Sequence, residues 1–322
     1  MNSVYNKIYN EIKKSKRVLL VRHIGPDPDA IASQISLKKS ISLSFKDKEV
    51  YALGTGISRF NYIGRMDKFN EFDYENDLVI ATDIPNVDRI DGLDVTKFKR
   101  VIKIDHHPII DKYYMLDITD TSASSASQLV YDLIKNTKLL MNTEIAGDIF
   151  IGIISDTHRF LFDYTSIHTY EVVIDLIKKY KIDTQKLYSK LYERPLSEVR
   201  LMGYISSNLK VTENKFAYII IDDEILKSFG ADTAACSNMI NDYNNINEVL
   251  VWLFVSHDSK NKDLLRLNIR SRGPVINEIA ERYGGGGHKL ASGIRLQDAS
   301  KLDEVLKCYD DLCKEYNEKA SK

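Results

Sequence analysis

Three short apolar runs in the first third of the chain each end close to a histidine or an aspartate. The runs and the polar residues that follow them are Val18–Val21 with His23, Leu78–Ala81 with Asp83, and Val101–Ile104 with Asp105. Such short, continuously apolar runs are typical of strands buried in a parallel sheet. The carboxyl ends of parallel strands share one edge of the sheet, where ligand sites form. The pattern therefore predicts an α/β fold that brings histidine and aspartate side chains together.

The elements between these runs support the same fold class. A fourth strand is predicted at Val50–Leu53. Helices are predicted at Ala30–Leu37, Ser125–Lys135, Thr143–Ser155, Ile167–Tyr180 and Leu196–Leu209. Strands that alternate with helices form mainly parallel sheets with helices on their faces. We therefore expect an N-terminal domain of that architecture.

A second group of elements begins near Lys210. Strands are predicted at Phe216–Ile221, Val249–Val255 and Leu264–Ile269, followed by a helix at Val275–Tyr283 with Pro274 in its first turn. Because domains typically hold about 100–200 residues, a chain of 322 residues is expected to form two. We place the first domain at 1–185, a helical linker at 186–209, and a smaller α/β domain at 210–322. The active-site cleft is expected between the two domains.

Composition and charge exclude several classes of protein. Hydrophobic residues make up 43% and charged residues 28%, which is typical of a globular chain and not of a disordered one. The net charge of −1 argues against a protein that coats long nucleic acids. Three scattered cysteines predict reduced thiols, with neither a disulfide framework nor a zinc knuckle. The polar N-terminus has no signal-peptide core and no apolar run could span a bilayer, so we expect a cytoplasmic protein.

Four polar motifs contain candidate metal ligands. They are His23-Ile-Gly-Pro-Asp27-Pro-Asp29, then Asp83, then Asp105-His106-His107, and finally Asp156-Thr157. Each motif has an ordinary structural alternative when it is taken alone. Asp29 could cap the following helix, Asp83 could be a loop residue, the histidines could lie on the surface, and Asp156 could end a helix.

Taken together, the four motifs favour a metal centre. Carboxylate and imidazole ligands suit Mn²⁺ or Mg²⁺, and the absence of cysteine among them argues against a structural zinc site. Their number exceeds what one ion needs, which indicates two ions. Two ions about 3.5–4 Å apart, with a shared aspartate between them, can activate a water and stabilise both oxygens in phosphoryl transfer.

The C-terminal part contains a candidate phosphate-binding segment. Arg270 and Arg272 precede the tract Gly284–Gly287, which His288 ends. Consecutive glycines let backbone N–H groups approach a phosphate, and arginine binds phosphate through paired hydrogen bonds. Glycines alone would favour a flexible loop. The arginines and the histidine beside them favour phosphate binding, with Gly285, Gly286, Gly287 and His288 as contacts.

These motifs, in this order and spacing, resemble the DHH phosphoesterase superfamily. The match extends from Val18 to Phe160, and the arginine and glycine-rich segments resemble the DHH-associated domain with its GGGH motif. The resemblance covers nearly the whole chain. Its two-domain size is most similar to the bacterial group that degrades nanoRNA and 3′-phosphoadenosine 5′-phosphate.

The resemblance implies a role for each candidate ligand. One ion would be held by His23, Asp27 and Asp83, and the other by Asp29, Asp83, His106 and Asp156. Asp83 would bridge the ions. His107 would face the scissile phosphate or orient its neighbours, and Asp105 would support a histidine ring nitrogen. Two divalent cations are implied as cofactors, Mn²⁺ first and Mg²⁺ second.

The implied activity is hydrolysis of short oligoribonucleotides to mononucleotides, of 3′-phosphoadenosine 5′-phosphate to AMP, or of both. The alternative within the same fold is a phosphodiesterase for cyclic or linear di-adenylate. A pyrophosphatase, a non-catalytic nucleotide-binding module and an RNA-binding protein are further alternatives. The implied partners are short RNA or DNA oligonucleotides or small adenine nucleotides, with no membrane, and a homodimer is implied.

Two residues after the last aspartate motif depart from the pattern or extend it. Glycine often follows Asp-Thr in similar proteins, but here the position holds His158. We interpret it as a surface residue, with the alternative that it crowds the site. Arg159 is a candidate contact for substrate phosphate. His168 and His257 are expected to be surface or partly packed residues.

Overall fold

A computed structural model of the chain describes residues 4–56, 58–258, 261 and 264–320. Contacts between residues divide the chain into two compact units, Met1–Glu193 and Arg194–Lys322. Cys236, Cys308 and Cys313 are free thiols, as their number and positions predict. Among the described helices, none combines the length and apolar character that crossing a membrane would require.

The first unit is one sheet covered by helices. Its helices are α1 (Val4–Lys14), α2 (Pro28–Ser44), α3 (Ala126–Lys135), α4 (Thr143–Asp156), α5 (Ile167–Tyr180) and α6 (Thr184–Tyr192). Its strands are β1 (Arg17–His23), β2 (Glu49–Ala52), β3 (Leu78–Thr82), β4 (Ile90–Asp91), β5 (Val101–Asp105) and β6 (Leu116–Thr119). Strands β2-β1-β3-β5-β6 lie in that order and pair in parallel, while β4 pairs antiparallel with the end of β1. The predicted, mainly parallel sheet is therefore confirmed.

Burial on both faces explains the continuous apolar runs. Val18 and Leu20 of β1 belong to the core on the face that carries α2, α3 and α4. Leu19 and Val21 belong to a second core on the opposite face. Since successive side chains of a strand point to opposite faces, a strand with two cores is apolar at most positions, and Lys103 of β5 is an exception. Polar residues are therefore displaced to the strand ends.

The second unit is also a sheet with helices on both faces. Its helices are α7 (Leu196–Asn208), α8 (Asp223–Ser228), α9 (Thr233–Met239), α10 (Asn277–Arg282) and α11 (Leu302–Ala320). Its strands are β7 (Lys210–Val211), β8 (Phe216–Ile221), β9 (Val251–His257), β10 (Leu265–Ser271), β11 (Gly286–His288) and β12 (Ala291–Leu296). The order is β11-β12-β10-β9-β8-β7, in which β8 and β9 are parallel and the other pairs antiparallel. The smaller α/β architecture expected for the C-terminal part is confirmed.

One predicted helix of this unit differs from the structure. Helix α10 begins at Asn277, so Pro274 lies three positions before it and the expectation that this proline occupies the first turn is wrong. The reason lies in the hydrogen bonds of the preceding segment. The Ser271 hydroxyl donates to the carbonyl of Pro274, and the amide of Ile276 donates to the carbonyl of Lys289. These bonds hold the segment out of the helix.

Candidate metal centre

The candidate ligands that follow strands meet at one edge of the first unit's sheet. His23 ends β1, Asp83 follows β3, and Asp105 ends β5 with His106 and His107 directly after it. These are neighbouring parallel strands, so their carboxyl ends bring the five side chains to one place. The sequence prediction that strand ends deliver histidine and aspartate to one edge is confirmed.

Helices α2 and α4 bring the remaining aspartates to the same edge. Asp27 is the N-cap of α2 and accepts a hydrogen bond from the Ala30 amide at 2.9 Å. Asp29, in the first turn of α2, is fully buried. Its two oxygens accept hydrogen bonds from the amides of Ala126 and Ser127, at 2.8 and 3.0 Å, where α3 begins. Asp156 is the last residue of α4.

Asp83 lies at the centre of this group. Its Oδ2 is 3.4 Å from His23 Nε2, and its Oδ1 is 3.5 Å from both His106 Nε2 and His107 Nδ1. Oδ1 is buried without a hydrogen bond of good geometry. The backbone of Asp83 is left-handed, with φ of 57°, which turns the chain sharply as it leaves β3. Such backbone strain persists only where surrounding structure fixes it, and it is concentrated at functional sites.

The side chains form three overlapping clusters whose potential ligand atoms lie within 4.8 Å of one another. The clusters are His23 with Asp27 and Asp83, Asp83 with His106 and His107, and Asp29 with His106 and Asp156. Across the third cluster, His106 Nε2 is 3.2 Å from Asp156 Oδ2. Carboxylate and imidazole donors at this spacing, with an orphaned buried oxygen on Asp83, fit divalent cations.

Burial and crowding of charge shift the pKa values of these groups strongly. Burial, reinforced by the charge of Asp83, raises the pKa of Asp29 to about 7. Burial and the charge of Asp29 raise the pKa of Asp156 well above its usual range. Burial opposes the charged form of His23, but a hydrogen bond to Asp83 and the charge of Asp27 outweigh it and raise that pKa to about 9.

The two central groups shift in opposite directions. Burial alone would raise the pKa of Asp83, but hydrogen bonds from His106 and His23 bring it below its usual range. Burial alone would lower the pKa of His106, but the same bond to Asp83 and the charge of Asp156 raise it. The cluster therefore holds protons among its acids and histidines, and a bound cation would displace them.

In the second unit, three of the predicted phosphate-binding residues, Arg270, Gly286 and His288, lie on one face near the edge of the sheet. Ala291 of β12 pairs with Arg270 of β10 on one side and with His288 of β11 on the other. In the next row of the same face, Gly293 pairs with Gly286. Directly opposed residues share a face of the sheet, so a floor of glycine and alanine lies between the arginine and the histidine. We call these five residues the glycine strip.

The glycines of this tract have different structural roles. A Cβ atom at Gly285 would lie 2.2 Å from the Gly293 carbonyl oxygen, and one at Gly287 would lie 2.4 Å from that of Ala291. The packing of β11 against β12 therefore requires glycine at both positions. A Cβ at Gly286 would meet nothing within 4 Å, and one at Gly293 would make only ordinary contact. Packing within the chain does not require glycine at these two positions.

The three arginines of the prediction are bound in different ways. Arg270 Nε donates to Asn241 Oδ1 at 2.8 Å. The guanidinium of Arg272 donates to the carbonyls of Val249 and Asn247, so it ties its own loop to the segment before β9. Arg159, in the first unit, lies over the ring of Tyr192, with its Cζ 5.1 Å from the ring centroid.

The histidines outside the motifs are partly as expected. His158 is buried, so its interpretation as a surface residue is wrong. It stacks on Phe162, with ring centroids 5.4 Å apart, and Arg159 donates to its Nε2. Its φ of 47° is left-handed, a conformation that glycine adopts without strain. His168 is half-exposed beside Asp132, as expected.

Comparison with known proteins agrees with this geometry. The DHH family N-terminal domain matches residues 17–153, and the DHHA1 domain matches residues 213–315. The bifunctional oligoribonuclease and PAP phosphatase NrnA of Bacillus subtilis is 36% identical over 302 residues, which cover 93% of this chain and 95% of that protein. This chain belongs to the DHH family. A probable NrnA of the same description from Streptococcus mutans is 34% identical, covering 97% of this chain and 100% of that protein.

A solved structure shares the fold of this DHH-family chain. The exopolyphosphatase-related protein of Bacteroides fragilis aligns with a TM-score of 0.86 and 23% identity, over 100% of this chain and 98% of that one. At this identity the likeness concerns the fold alone. Together with the two domain matches, it agrees with the α/β architecture described above.

Sequence analysis did not identify Ser127 and Gly152, two residues that contact the candidate metal ligand Asp29. Ser127 donates its amide to Asp29, and Gly152 of α4 packs against both residues. A Cβ atom at Gly152 would lie 2.5 Å from Asp29 Oδ1 and 2.0 Å from Ser127 Oγ. A glycine inside a strongly apolar helix is the one signal that could have indicated such a close approach. Gly293 of the glycine strip was also missed, because it lies in β12 outside the tract Gly284–Gly287.

Proposed function

We propose that this chain is a two-metal phosphoesterase that hydrolyses short oligoribonucleotides to mononucleotides and 3′-phosphoadenosine 5′-phosphate to AMP. The observation that carries the proposal is the position of Asp83, whose two oxygens face histidines of two different clusters. The substrate class is supported by the activities for which the B. subtilis and S. mutans relatives are named, since both align over nearly their full length.

Two divalent cations fit the ligands of the first unit. We assign His23, Asp27 and Asp83 to one, and Asp29, Asp83, His106 and Asp156 to the other, with Asp83 between them. We propose Mn²⁺, because Mg²⁺ prefers oxygen ligands and this set includes two imidazoles. When bound, two such cations lower the pKa of a water and stabilise charge on the attacking and leaving oxygens of a phosphate ester.

The protein's own groups would orient the reacting phosphate. Asp105 Oδ1 accepts a hydrogen bond from His107 Nδ1 at 2.8 Å, which fixes the imidazole ring. With Nδ1 used in this way, Nε2 is the atom that His107 can offer to the scissile phosphate. Arg159 lies three residues after Asp156 and supplies a cation for a second phosphate oxygen. We assign His107 and Arg159 to these contacts.

The glycine strip of the second unit would bind a phosphate group of a nucleotide. Gly286 and Gly293 leave the backbone accessible although packing does not require glycine there. Arg270 and His288 add donors on either side of this floor. A nucleotide phosphate can approach a backbone without side chains more closely than it can approach any other surface. We assign Arg270, Gly286, Gly293 and His288 to this binding, with Arg272 shaping the adjoining loop.

A substrate panel tests the proposal. Purified protein with Mn²⁺ or Mg²⁺ is offered RNA of two to about ten nucleotides, 3′-phosphoadenosine 5′-phosphate, linear di-adenylate, cyclic di-adenylate and inorganic pyrophosphate. We expect the shortest RNAs and the adenosine bisphosphate to be hydrolysed fastest, with Mn²⁺ preferred. Faster turnover of cyclic di-adenylate would favour the alternative phosphodiesterase, and no turnover of any nucleotide would refute the proposal.

The Gly286→Ala variant tests the glycine strip separately from the metal centre. Its Cβ has room in the protein, so the fold should be unchanged while the added methyl group blocks a bound phosphate. We expect KM for a dinucleotide to rise about tenfold or more, the equivalent of about 1.4 kcal/mol of binding free energy. Gly203→Ala, in α7, also meets no atom within 4 Å and serves as the matched control. Equal KM values for both variants would contradict the assignment.

We further propose that the chain forms a homodimer through α5. The outer face of this helix exposes Ile167, Tyr170, Ile174 and Ile177, by 80, 45, 48 and 41%. The spacing is symmetric about position 172. Two copies of α5 packed antiparallel about a twofold axis would therefore pair Ile167 with Ile177 and Tyr170 with Ile174. Light scattering should give a dimer for the wild type and a monomer for Ile174→Lys, and a monomeric wild type would refute the dimer.

We place the activity in the cytoplasm, where free thiols persist. Cys236 and Cys313 are buried and all three cysteines are unpaired. Thiols stay reduced in the cytosol and tend to oxidise outside it. Fractionation of cells that carry an epitope-tagged copy would test this placement, with the tagged protein expected in the cytosolic fraction.

A further inference from the structure

A lysine is fully buried beneath the metal centre. Lys103 lies in the middle of β5 and its side chain is 0% exposed. It shares its face of the sheet with Val101, two residues earlier, and with its register partner Ala81, both of which belong to an apolar core. A buried ammonium costs several kcal/mol unless a partner compensates its charge. Its presence in an apolar layer therefore needs an explanation.

The partner of Lys103 is the first residue of the Asp-His-His motif. Lys103 Nζ is 2.9 Å from Asp105 Oδ2, and the Asp105 side chain is also 0% exposed. The ring of Tyr114 lies on another side of the ammonium, with its centroid 5.8 Å from Nζ. Neither Nζ nor Oδ2 has a hydrogen bond among the described residues, so it is the charge of the buried ion pair that holds Oδ2 toward the lysine.

The other oxygen of Asp105 holds His107. Oδ1 accepts from His107 Nδ1 at 2.8 Å. Lys103 and Asp105 are alternate residues of β5, so the two-residue period of a strand places them on one side of it, and His107, just beyond the strand, contacts Asp105. Ile102 and Ile104 point to the opposite core. A line of contacts therefore runs from the interior of the sheet to the edge where the metal ligands meet.

We propose that Lys103 is a positioning residue that acts through Asp105 to hold the His107 ring with the proton on Nδ1 and with Nε2 directed outward. The part of this inference that concerns catalysis rests on the proposed phosphoesterase function, since Nε2 would face the scissile phosphate. The part that concerns the His107 ring does not depend on any activity. The buried lysine thereby has a role in the site although it touches neither metal ligand nor substrate.

The Lys103→Met variant tests the inference, because methionine keeps the length of the side chain and removes its charge. Three properties are measured with Mg²⁺ as the metal. The first is the ¹⁵N NMR spectrum of the His107 ring, whose signals are assigned by their loss in His107→Gln. The others are the affinity for Mg²⁺, and kcat and KM for a dinucleotide. We expect the Nδ1-protonated form of His107 to dominate in the wild type and to lose its dominance in the variant. We expect kcat to fall by about 10- to 100-fold, with KM and metal affinity changed less than threefold.

If Lys103→Met alone does not fold, a variant that removes the charges of both Lys103 and Asp105 can still test the inference. Lys103→Met/Asp105→Asn leaves no uncompensated charge, and it should match Asp105→Asn alone in kcat, since the lysine acts only through the aspartate. Lys39→Met is the matched control. It removes the ion pair with Asp148, 2.6 Å apart in the same unit, and should lower stability without changing kcat.

Three results would overturn the inference. One is a Lys103→Met variant with wild-type kcat and an unchanged His107 spectrum. Another is a loss of kcat that accompanies an equal loss of metal affinity, which would indicate a general structural role. The third is a double variant far less active than Asp105→Asn. If the wild type hydrolyses no nucleotide, the proposed function fails, while the spectrum of His107 still decides whether Lys103 positions the ring.

Discussion

Asp83 is the residue on which the geometry of the metal centre depends most. It is buried, its backbone is left-handed, and both of its oxygens face imidazole nitrogens within 3.5 Å. Asp83→Asn keeps the size of the side chain and replaces one ligand oxygen with an amide. We expect the protein to fold and kcat to fall by roughly 100- to 1,000-fold, as when a contact that stabilises transition-state charge is lost. Steady-state kinetics at saturating Mn²⁺ measure this effect.

Asp120 provides the control for this substitution. It also follows a parallel strand of the same sheet, β6, but its carboxylate accepts hydrogen bonds from Ser122 and lies outside the three clusters. Asp120→Asn should leave kcat within twofold of the wild type. Retention of manganese-dependent hydrolysis in Asp83→Asn would show that Asp83 does not hold the cations.

Single residues at strand ends were predictable, and the residues that support them were not. His23, Asp83 and Asp105 follow apolar runs, so their location at the sheet edge can be inferred from the adjacent sequence. Lys103 interrupts an apolar strand, but the sequence does not say that its ammonium is buried against Asp105. Gly152 gives even less local indication, because its neighbours Asp29 and Ser127 are distant along the chain. A single sequence does not indicate which distant segments of the chain come into contact.

At the scale of secondary structure, Gly152 of α4 leaves the space that the carboxylate of Asp29 occupies. Gly152→Ala would favour the helix intrinsically. However, its Cβ would lie 2.5 Å from Asp29 Oδ1, so the carboxylate must move. We expect affinity for Mn²⁺ to fall by about 10- to 100-fold, the range for loss of a group that orients a ligand. Titration with Mn²⁺ against a fluorescent chelator measures the change.

Another glycine of the same helix serves as the control. A Cβ atom at Gly147 would meet only the methyl groups of Leu187, at 3.5 Å, which is ordinary contact. Gly147→Ala should therefore leave Mn²⁺ affinity unchanged and raise the free energy of unfolding by roughly 0.5–1 kcal/mol. Equal metal affinities in the two variants would mean that α4 does not fix the position of Asp29.

Elements with strong local patterns were predictable, and those that depend on pairing were not. Helix α5 spans the predicted range Ile167–Tyr180 because its buried side carries apolar residues at helical spacing and Ser166 caps it. Strand β11 consists of two glycines and a histidine, residues that do not favour strands, and it exists because β12 lies beside it. The segment at Pro274 was predicted as helix because its hydrogen bonds to distant residues are invisible in the local pattern.

At the scale of the whole molecule, the candidate metal ligands come from five separate elements of the first unit. They are supplied by β1, α2, β3, β5 and α4 or by the residues that flank these elements. In the unfolded chain these segments are far apart, so cations that use these ligands would bind the folded unit selectively. Ligand at about 100 times its Kd stabilises a folded protein by roughly 2.7 kcal/mol. Within the described residues, the candidate metal clusters all lie in the first unit.

Calorimetry should therefore show an effect of Mn²⁺ that is confined to one unit. We expect Mn²⁺ to raise the unfolding temperature of the first unit by several degrees and to leave that of the second unit unchanged. The transitions can be assigned with Asp83→Asn, in which the shift should be lost. An equal shift of both transitions in that variant would indicate non-specific binding.

The affinity for Mn²⁺ should increase with pH, because the cations compete with protons for the same atoms. Without metal, the pKa of Asp29 is about 7 and that of His23 is about 9. At pH 6 both groups therefore carry protons that a cation must displace, and at pH 8 mainly His23 does. Removing a proton from a group below its pKa costs about 1.4 kcal/mol per pH unit. That cost falls as the pH rises, so we expect affinity to increase by about tenfold or more from pH 6 to pH 8. Calorimetric titration in buffers of different ionisation enthalpy should detect at least one proton released per protein. A pH-independent affinity without proton release would mean that Asp29 and His23 do not bind the metal.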